Sequence, residues 1–321
     1  MGSLAAWRLA TALYREGSKS TLLSIYGRYQ PRIDHISQRG ITFVNLKGDR
    51  STVRVNATKH CPRDHCIDVA LIFNKTYQLG RVGKELNQCL QQQGLVICLQ
   101  NGVGSAATIQ STNPGATIIE GILFEGVTID ASGDVIHKGY GQTWLGLTLA
   151  EEKRHSEILS LMRRGGFDLQ IQTDIKSTQW AKLAANAAIN PLTALTGVRN
   201  KSIAEHPLLR RIASEAAQEV SRVADQLGVE QQKDYVVSML EIAINTGENT
   251  SSMLSDIQQN RETEIVYING VVVAEGEKHG IPTPVNQMLL AAILNHSGAP
   301  MSLRALELRW LHLNKNLHSQ Q

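Results

Sequence analysis

The stretch Trp180-Ala-Lys-Leu-Ala-Ala-Asn-Ala-Ala-Ile-Asn-Pro-Leu-Thr-Ala-Leu-Thr-Gly197 combines a regular polar repeat with an apolar remainder. Lys182, Asn186 and Asn190 are spaced four residues apart, so a helix places them in one stripe. The residues between them are alanine, leucine or isoleucine, which predicts that the other faces of the helix are buried. Two interpretations remain open. The asparagines either satisfy neighbouring backbone groups in a core, or they line a cleft in which the lysine donates a proton and the amides orient a polar substrate.

The periodicity of the chain changes near residues 172–176. The preceding part alternates short β-rich runs with helical segments, which is typical of a parallel α/β sheet. The following part contains long helical patterns. We therefore predict an α/β domain over residues 1–173 and an all-helical domain over 174–321. The predicted strands are 21–26, 67–73, 95–99, 117–123, 135–137 and 143–147, and the predicted helices include 4–14, 175–195, 208–227, 231–245 and 262–279.

Composition narrows the classes of function. The formal net charge is +3 without a basic block, which argues against nucleic acid and is compatible with an anionic cofactor and substrate. No apolar run approaches the roughly 20 residues that a membrane span needs, so we expect a soluble, cytoplasmic protein. The alternative is a mitochondrial one, because Arg8, Arg15, Lys19 and Arg28 against Glu16 resemble a transit peptide.

The four cysteines, Cys61, Cys66, Cys89 and Cys98, all lie in the first third of the chain. This distribution does not predict a disulfide framework. The segment His60-Cys-Pro-Arg-Asp-His-Cys66 offers imidazole and thiolate groups that suit zinc. Because no second half-site of matching spacing follows, we expect no metal and interpret the segment as a loop of incidental cysteines and histidines.

Three later motifs complete a pattern with the Lys182 helix: Ser251-Ser-Met-Leu-Ser-Asp256, Arg261-Glu-Thr-Glu-Ile-Val-Tyr-Ile-Asn-Gly270 and His279-Gly-Ile-Pro-Thr-Pro-Val-Asn286. Together these segments resemble the ketopantoate reductase (2-dehydropantoate 2-reductase) family, and the resemblance runs from Gly2 to about Leu303. It implies that Lys182 is the general acid and that Glu264 receives the substrate hydroxyl and pairs with the lysine. It also implies a substrate-binding set of Asn101, Asn186, Asn190, Asn200 and Ser252.

The resemblance further implies a Rossmann-like first domain whose opening differs from the family pattern. The family begins with an apolar strand and Gly-x-Gly-x-x-Gly, where glycines let the backbone approach a pyrophosphate at a helix N-terminus. Here Gly2 matches the third glycine, so the first strand and the first two glycines are absent. We expect the two strands beside the missing one to lack a ladder partner. A late start codon, an alternative transcript or a decayed copy would each produce this opening.

Cofactor choice follows from the end of the second strand. An NADP enzyme offers a cation to the 2′-phosphate, whereas an NAD enzyme offers a carboxylate to the ribose. Residues 21–32 include Arg28 and contain no acidic residue. NADPH is therefore favoured, although Arg28 can also be a solvated loop residue. The full set of cofactor-binding residues that we infer is Gly2, Arg28, Lys75, Asn101, Gly126 and Glu264.

These interpretations predict an NADPH-dependent reduction of 2-dehydropantoate to pantoate, a step in pantothenate and coenzyme A biosynthesis. The small-molecule partner is then a 2-keto acid, and a homodimer is possible. Three alternatives stay open. The chain can reduce another 2-keto acid, Asn101 can be an ordinary turn residue, or the protein can be a pseudoenzyme or binding protein that has lost its phosphate loop. His137 is expected to be structural.

Overall fold

The computed structural model describes residues 1–17, 22–61 and 65–318. These residues divide into two compact units, one formed by Met1–Gln100 with Gly104–Ile175 and the other by Asn101–Val103 with Lys176–Gln321. Lys19, Thr21, residues 62–64 of the His60–Cys66 segment and residues 319–321 lie outside the described residues.

The first unit alternates helices and strands, as its periodicity predicted. Its helices are α1 (Gly2–Arg15), α2 (Gln30–Arg39), α3 (Leu79–Leu86), α4 (Ser105–Thr112), α5 (Leu149–Arg154) and α6 (Ser156–Arg164). Its strands are β1 (Ser24–Tyr26), β2 (Ile41–Val44), β3 (Arg50–Val53), β4 (Asn56–Thr58), β5 (Ile67–Ile72), β6 (Leu90–Cys98), β7 (Thr117–Leu123), β8 (Gly126–Ile129), β9 (Val135–Gly139), β10 (Thr143–Gly146) and β11 (Leu169–Gln172).

A five-stranded sheet in the order β11-β10-β7-β6-β5 forms the centre of this unit. The second half of strand β6, from Gly94 to Cys98, is buried on both faces, and alternate residues of a strand point to opposite sides. Leu95, Ile97 and Leu99 pack into one apolar cluster, and Val96 and Cys98 pack into another. The Rossmann-like, parallel-rich sheet is therefore confirmed. Two strands of this sheet differ in direction from the parallel prediction: β10 runs antiparallel to β7, and β11 is parallel to β10. A connection without a crossover helix permits the antiparallel pairing of β7 with β10.

Strands β5 and β1 each have one unpaired edge among the described residues. β5 forms the end of the five-stranded sheet, and β1 pairs with β4 in a separate parallel two-stranded sheet. In β5, Val69, Ala70 and Leu71 are half-buried, whereas the matching residues of β6 are fully buried. Where the natural chain begins stays a prediction. A further sheet has the order β3-β2-β9-β8.

The second unit consists of helices around one apolar core. They are α7 (Lys176–Thr196), α8 (Lys201–Glu205), α9 (Pro207–Gln226), α10 (Tyr235–Asn245), α11 (Ser252–Gln258), α12 (Ile265–His279), α13 (Pro284–Leu294) and α14 (Leu303–His318). The helical prediction is confirmed, with later starts for two of the helices. α10 begins at Tyr235 rather than Gln231 because the Asp234 carboxylate caps the amide of Val237.

Helix α7 is the central helix of that core. Leu183, Ala184, Ala187 and Ala188 are buried, as the apolar spacing predicted, and they contribute to a cluster that also includes residues of α9, α10, α12 and α13. Among the described residues, no helix is both long and apolar enough to cross a membrane.

Candidate active site

Lys182 lies on α7 in a setting that changes its acidity. Its side chain is half-buried on the polar stripe. Burial lowers the pKa of the Lys182 ammonium to about 8, and the nearby carboxylate of Glu264 acts in the opposite direction. An ammonium in this range is protonated at neutral pH and still releases its proton readily, which suits a general acid.

Glu264 lies immediately before α12 and is buried. The turn Asn101–Val103 belongs to the same helical unit. Gly102 has φ of +88°, and a Cβ at this position would lie 2.6 Å from the carbonyl oxygen of Tyr267 in the first turn of α12. Any other residue at position 102 would therefore force the turn away from α12. The close approach brings Asn101 to the end of α12 at which Glu264 lies.

The predicted substrate amides occupy two positions in the helical unit. Asn186 is half-buried and Asn190 is buried, both on α7 with Lys182. Asn200 lies before α8, where its amide nitrogen donates to Thr246 Oγ1 over 2.9 Å. Its Oδ1 is buried without a hydrogen-bond partner in the described part of the chain. A ligand hydroxyl or ammonium would satisfy that acceptor.

The serine motif separates into two roles. Ser252 is exposed as the first residue of α11, so it keeps an accessible hydroxyl. The preceding Ser251 is buried, caps the amide of Leu254 and accepts from Thr193 Oγ1 over 2.7 Å. Ser251 therefore ties the start of α11 to α7, a structural role that the sequence motif alone does not separate from substrate binding.

A polar chain that sequence analysis missed holds α7 against α12, α13 and α9. Asn269 donates to the carbonyl oxygen of Ala187 and to Asn286 Oδ1, each over 2.9 Å. Asn286 in turn donates to Glu219 Oε2 over 2.7 Å. Burial raises the pKa of the Glu219 carboxyl, while hydrogen bonds from Asn286 and Val285 oppose that shift. The only local signal was a pair of asparagines within helical segments, where asparagine is disfavoured.

On the side of the first unit, cations gather near the N-terminal end of α1. Burial, followed by the charges of Arg32 and Lys75, lowers the pKa of the Met1 amine to about 6, and the charge of Glu125 acts in the opposite direction. The positive end of a helix together with nearby cations favours an anion. Gly2 faces the side chain of Phe73, with ordinary contact distance for an added Cβ, 3.6 Å. Gly126 likewise leaves ordinary space at 3.5 Å from the Cβ of Lys138.

A cavity of about 400 Å³ lies near the C-terminal ends of β1 and β4. The two strands are parallel, so the residues that follow them meet at one edge. Its lining consists of Tyr26, Arg28, Lys59, His60, Cys61, Glu85, Gln88 and Cys89. Arg28 was predicted for this position. Lys59 and His60, which follow β4, were not predicted to lie here, because nothing in the local sequence indicates that β4 pairs with β1.

The cavity also contains a carboxylate that the sequence interpretation did not place there. Glu85 of α3 forms an ion pair with Arg28 at 2.8 Å, and the Tyr26 hydroxyl donates to the same carboxylate. No acidic residue is close to Arg28 in the sequence, but Glu85 lies next to it in the structure. A helix from further along the chain supplies the charge.

A disulfide joins Cys61 to Cys89, with 6.1 Å between their Cα atoms, while Cys66 and Cys98 are free. The expectation that these cysteines are incidental is corrected for this pair. A Cys61 sulfur bonded to another sulfur is not a thiolate ligand. Among the described residues, no group of three or more histidine, cysteine, aspartate or glutamate side chains is arranged to hold a metal ion.

His137 lies in a buried charged cluster of the first unit. Its Nε2 lies 2.8 Å from Glu125 Oε1, and Arg8 forms a two-pronged ion pair with the same carboxylate at 2.6 and 2.7 Å. The cluster connects α1 with the segment before β8 and with β9.

A parallel-rich sheet unit with a cationic cavity at its strand ends is typical of dinucleotide-binding oxidoreductases. Here it is joined in sequence to a helical unit that contains Lys182 and Glu264. The chain belongs to the ketopantoate reductase family. The family models "Ketopantoate reductase PanE/ApbA" and "Ketopantoate reductase PanE/ApbA C terminal" match residues 1–149 and 174–296, respectively.

Individual relatives agree with this assignment. A 2-dehydropantoate 2-reductase of Archaeoglobus fulgidus is 32% identical over 254 residues, covering 79% of this chain and 83% of that protein. The enzyme of the same name from Pyrobaculum aerophilum is 36% identical over 204 residues, covering 63% of this chain and 69% of that protein. In fold, the chain resembles the PanE/ApbA family ketopantoate reductase of Ralstonia eutropha JMP134. The TM-score is 0.81 at 22% identity, with 90% of this chain and 93% of that chain covered.

Proposed function

We propose that this protein reduces the C2 carbonyl of 2-dehydropantoate to the alcohol of pantoate, with NADPH as the reductant. The observation that carries the proposal is the position of Lys182 on the polar stripe of α7, where burial lowers its pKa to about 8 and the nearby carboxylate of Glu264 raises it. The substrate follows from the relatives, since those described above are named 2-dehydropantoate 2-reductase. The product would supply pantothenate and coenzyme A biosynthesis.

The residues of the helical unit divide the work between proton transfer and binding. A nicotinamide supplies the hydride when bound. Lys182 stabilises the oxyanion that develops at C2 and donates its proton to that oxygen. Glu264 keeps the lysine protonated and accepts a hydrogen bond from a substrate hydroxyl. Asn101, Asn186, Asn190, Asn200 and Ser252 bind the carboxylate and hydroxyl groups of the keto acid.

The first unit fits a dinucleotide that carries an extra phosphate. Arg28 and Lys59 place two cations on one cavity, with the imidazole of His60 beside them. A 2′-phosphate would take Arg28 as a charge-assisted partner. Lys75 and the N-terminal end of α1 would hold the pyrophosphate, with Gly2 at the start of that helix. Glu85 favours the alternative, NADH, because a carboxylate binds ribose hydroxyls. Two cations against one carboxylate favour NADPH.

The direct test is the oxidation of NADPH, followed by its absorbance, with 2-dehydropantoate as the substrate. We expect turnover that depends on both compounds and is slower with NADH. A 2-keto acid with an aryl substituent serves as the comparison substrate. Faster turnover of the aryl compound would assign a different 2-keto acid to the site. NADPH binding without turnover of either compound would instead support a binding protein.

A further inference from the structure

The wall of the Arg28 cavity contains a disulfide between its two charged sides. One side is the segment Lys59–Cys61, which follows β4. The other is formed by Glu85 of α3 and by Cys89, which lies between α3 and β6. Cys61 is half-buried and Cys89 is buried. The covalent link therefore passes directly along the surface that would receive the cofactor.

The positive groups of the cavity depend on this link to different extents. Arg28 is held by its ion pair with Glu85 and follows β1, outside the segment that the disulfide fixes. The described hydrogen bonds of His60 run to Thr58, on its own side of the cavity. The bond from Cys61 to Cys89 links the segment of Lys59 and His60 covalently to the turn between α3 and β6. Breaking the bond would release these two side chains and leave the Arg28–Glu85 pair in place.

We infer that Cys61 and Cys89 form a redox site that sets the preference of the cavity for NADPH over NADH. This inference rests on the proposed function. In the oxidised protein Lys59 and His60 are held where a 2′-phosphate binds. In the reduced protein the carboxylate of Glu85 dominates beside Arg28, and the preference moves toward NADH.

The redox step is an ordinary thiol–disulfide exchange with a dithiol reductant. A thiolate of the reductant attacks Sγ of Cys61, the more exposed sulfur, and Cys89 leaves as a thiolate that takes up a proton. The second thiol of the reductant then resolves the mixed disulfide and releases Cys61 as a thiol. Two electrons and two protons pass to the protein, and the reductant becomes a disulfide. Burial raises the pKa of the Cys98 thiol to about 12, so Cys98 takes no part at neutral pH.

The test measures the dissociation constants of NADPH and NADH on the full chain, first oxidised and then treated with a dithiol. Free-thiol titration confirms the two states, because the disulfide hides two of the four cysteines. We expect reduction to lower the NADPH preference, the ratio of the NADH to the NADPH constant, by about tenfold, within the usual range of coupling between two sites. Cys61→Ser/Cys89→Ser should show the reduced ratio in either buffer, and Cys66→Ser should behave like the wild type.

The outcomes separate the inference from the proposed function. Equal ratios in the two states of the wild type overturn the redox site and leave the reductase proposal standing, whether or not the serine variants fold. Failure of both nucleotides to bind in either state overturns the proposed cofactor and the redox control together. A ratio that still responds to the dithiol in the double variant and no longer responds in Cys66→Ser assigns the effect to Cys66 and overturns the role of the pair.

Discussion

The side-chain amide of Asn269 donates to the carbonyl oxygen of Ala187 over 2.9 Å. In a regular helix that oxygen would accept from the backbone amide four residues later, but position 191 is a proline, which has no N–H. Asn269 on α12 thus replaces the hydrogen bond that α7 loses within itself. The helix with Lys182 is thereby joined to the helix that begins beside Glu264.

Replacing Asn269 with leucine should destabilise the protein because it leaves two buried acceptors, Ala187 O and Asn286 Oδ1, without this donor. We expect a loss of about 2 kcal/mol or more in the free energy of unfolding, measured by urea denaturation. Pro191→Ala restores a backbone donor to Ala187. In a double-mutant cycle the leucine substitution should therefore cost less in the Pro191→Ala background. Equal costs in both backgrounds would contradict the replacement role of Asn269.

Lys182→Ala should lower kcat by a factor on the order of 10² to 10⁴, the usual contribution of a positioned proton donor. The dissociation constant of NADPH should change little, since the lysine acts on the keto acid. Steady-state kinetics and a fluorescence titration measure the two quantities. Lys233→Ala, which removes an exposed lysine of the same unit that pairs with Glu241, is the matched control. Near-normal turnover of Lys182→Ala would refute its assignment as the acid.

Reduction of the keto acid should lose rate as the pH rises through about 8, because Lys182 must be protonated to act and its pKa is lowered to about that value. Glu264 raises this pKa, so Glu264→Gln should move the alkaline limb of the kcat/KM profile to lower pH. Glu262→Gln, which changes an exposed carboxylate two residues away, should leave the limb in place. An unchanged limb in Glu264→Gln would show that the glutamate does not act on the lysine.

Arg28 and Glu85 should shift cofactor preference in opposite directions. Arg28→Ala should weaken NADPH much more than NADH, because only NADPH carries the 2′-phosphate. Glu85→Gln removes a competing carboxylate from Arg28, so NADPH should bind more tightly and NADH more weakly. Binding constants for both nucleotides give the answer, with Arg39→Ala as an exposed-arginine control. Parallel losses for both nucleotides in Arg28→Ala would make this arginine a bystander.

The sequence was a good guide to the elements that local patterns specify. The Lys182 helix was predicted over 175–195 and spans Lys176–Thr196, because a long apolar repeat with helical spacing is a strong signal. The alternation of strands and helices likewise predicted the parallel-rich sheet. Short strands such as Ile41–Val44 and Arg50–Val53 were missed, since four residues carry too little periodicity to identify a strand.

The relationships that were missed join residues far apart in the chain. The sequence around Arg28 does not predict its ion pair with Glu85. The sequence around Cys61 does not indicate that Cys89, rather than another cysteine, is its disulfide partner. The bond from Asn269 to Ala187 depends on Pro191 as well, so three separate positions must come together. The spacing of apolar residues indicates which face of a helix or strand is buried, but it does not indicate which other element packs against that face. The roles of the individual site residues therefore stay predictions for the variants described above.

The turn Asn101–Val103 leaves strand β6 and yet belongs to the helical unit, which has a consequence for amide hydrogen exchange. Exchange rates follow the cooperative unit in which an amide lies. The amides of this turn should therefore exchange on the time course of α12 rather than on that of the strand that precedes them. A ligand that slows the opening of the helical unit would protect these three amides and leave the protection of Val96 and Ile97 unchanged.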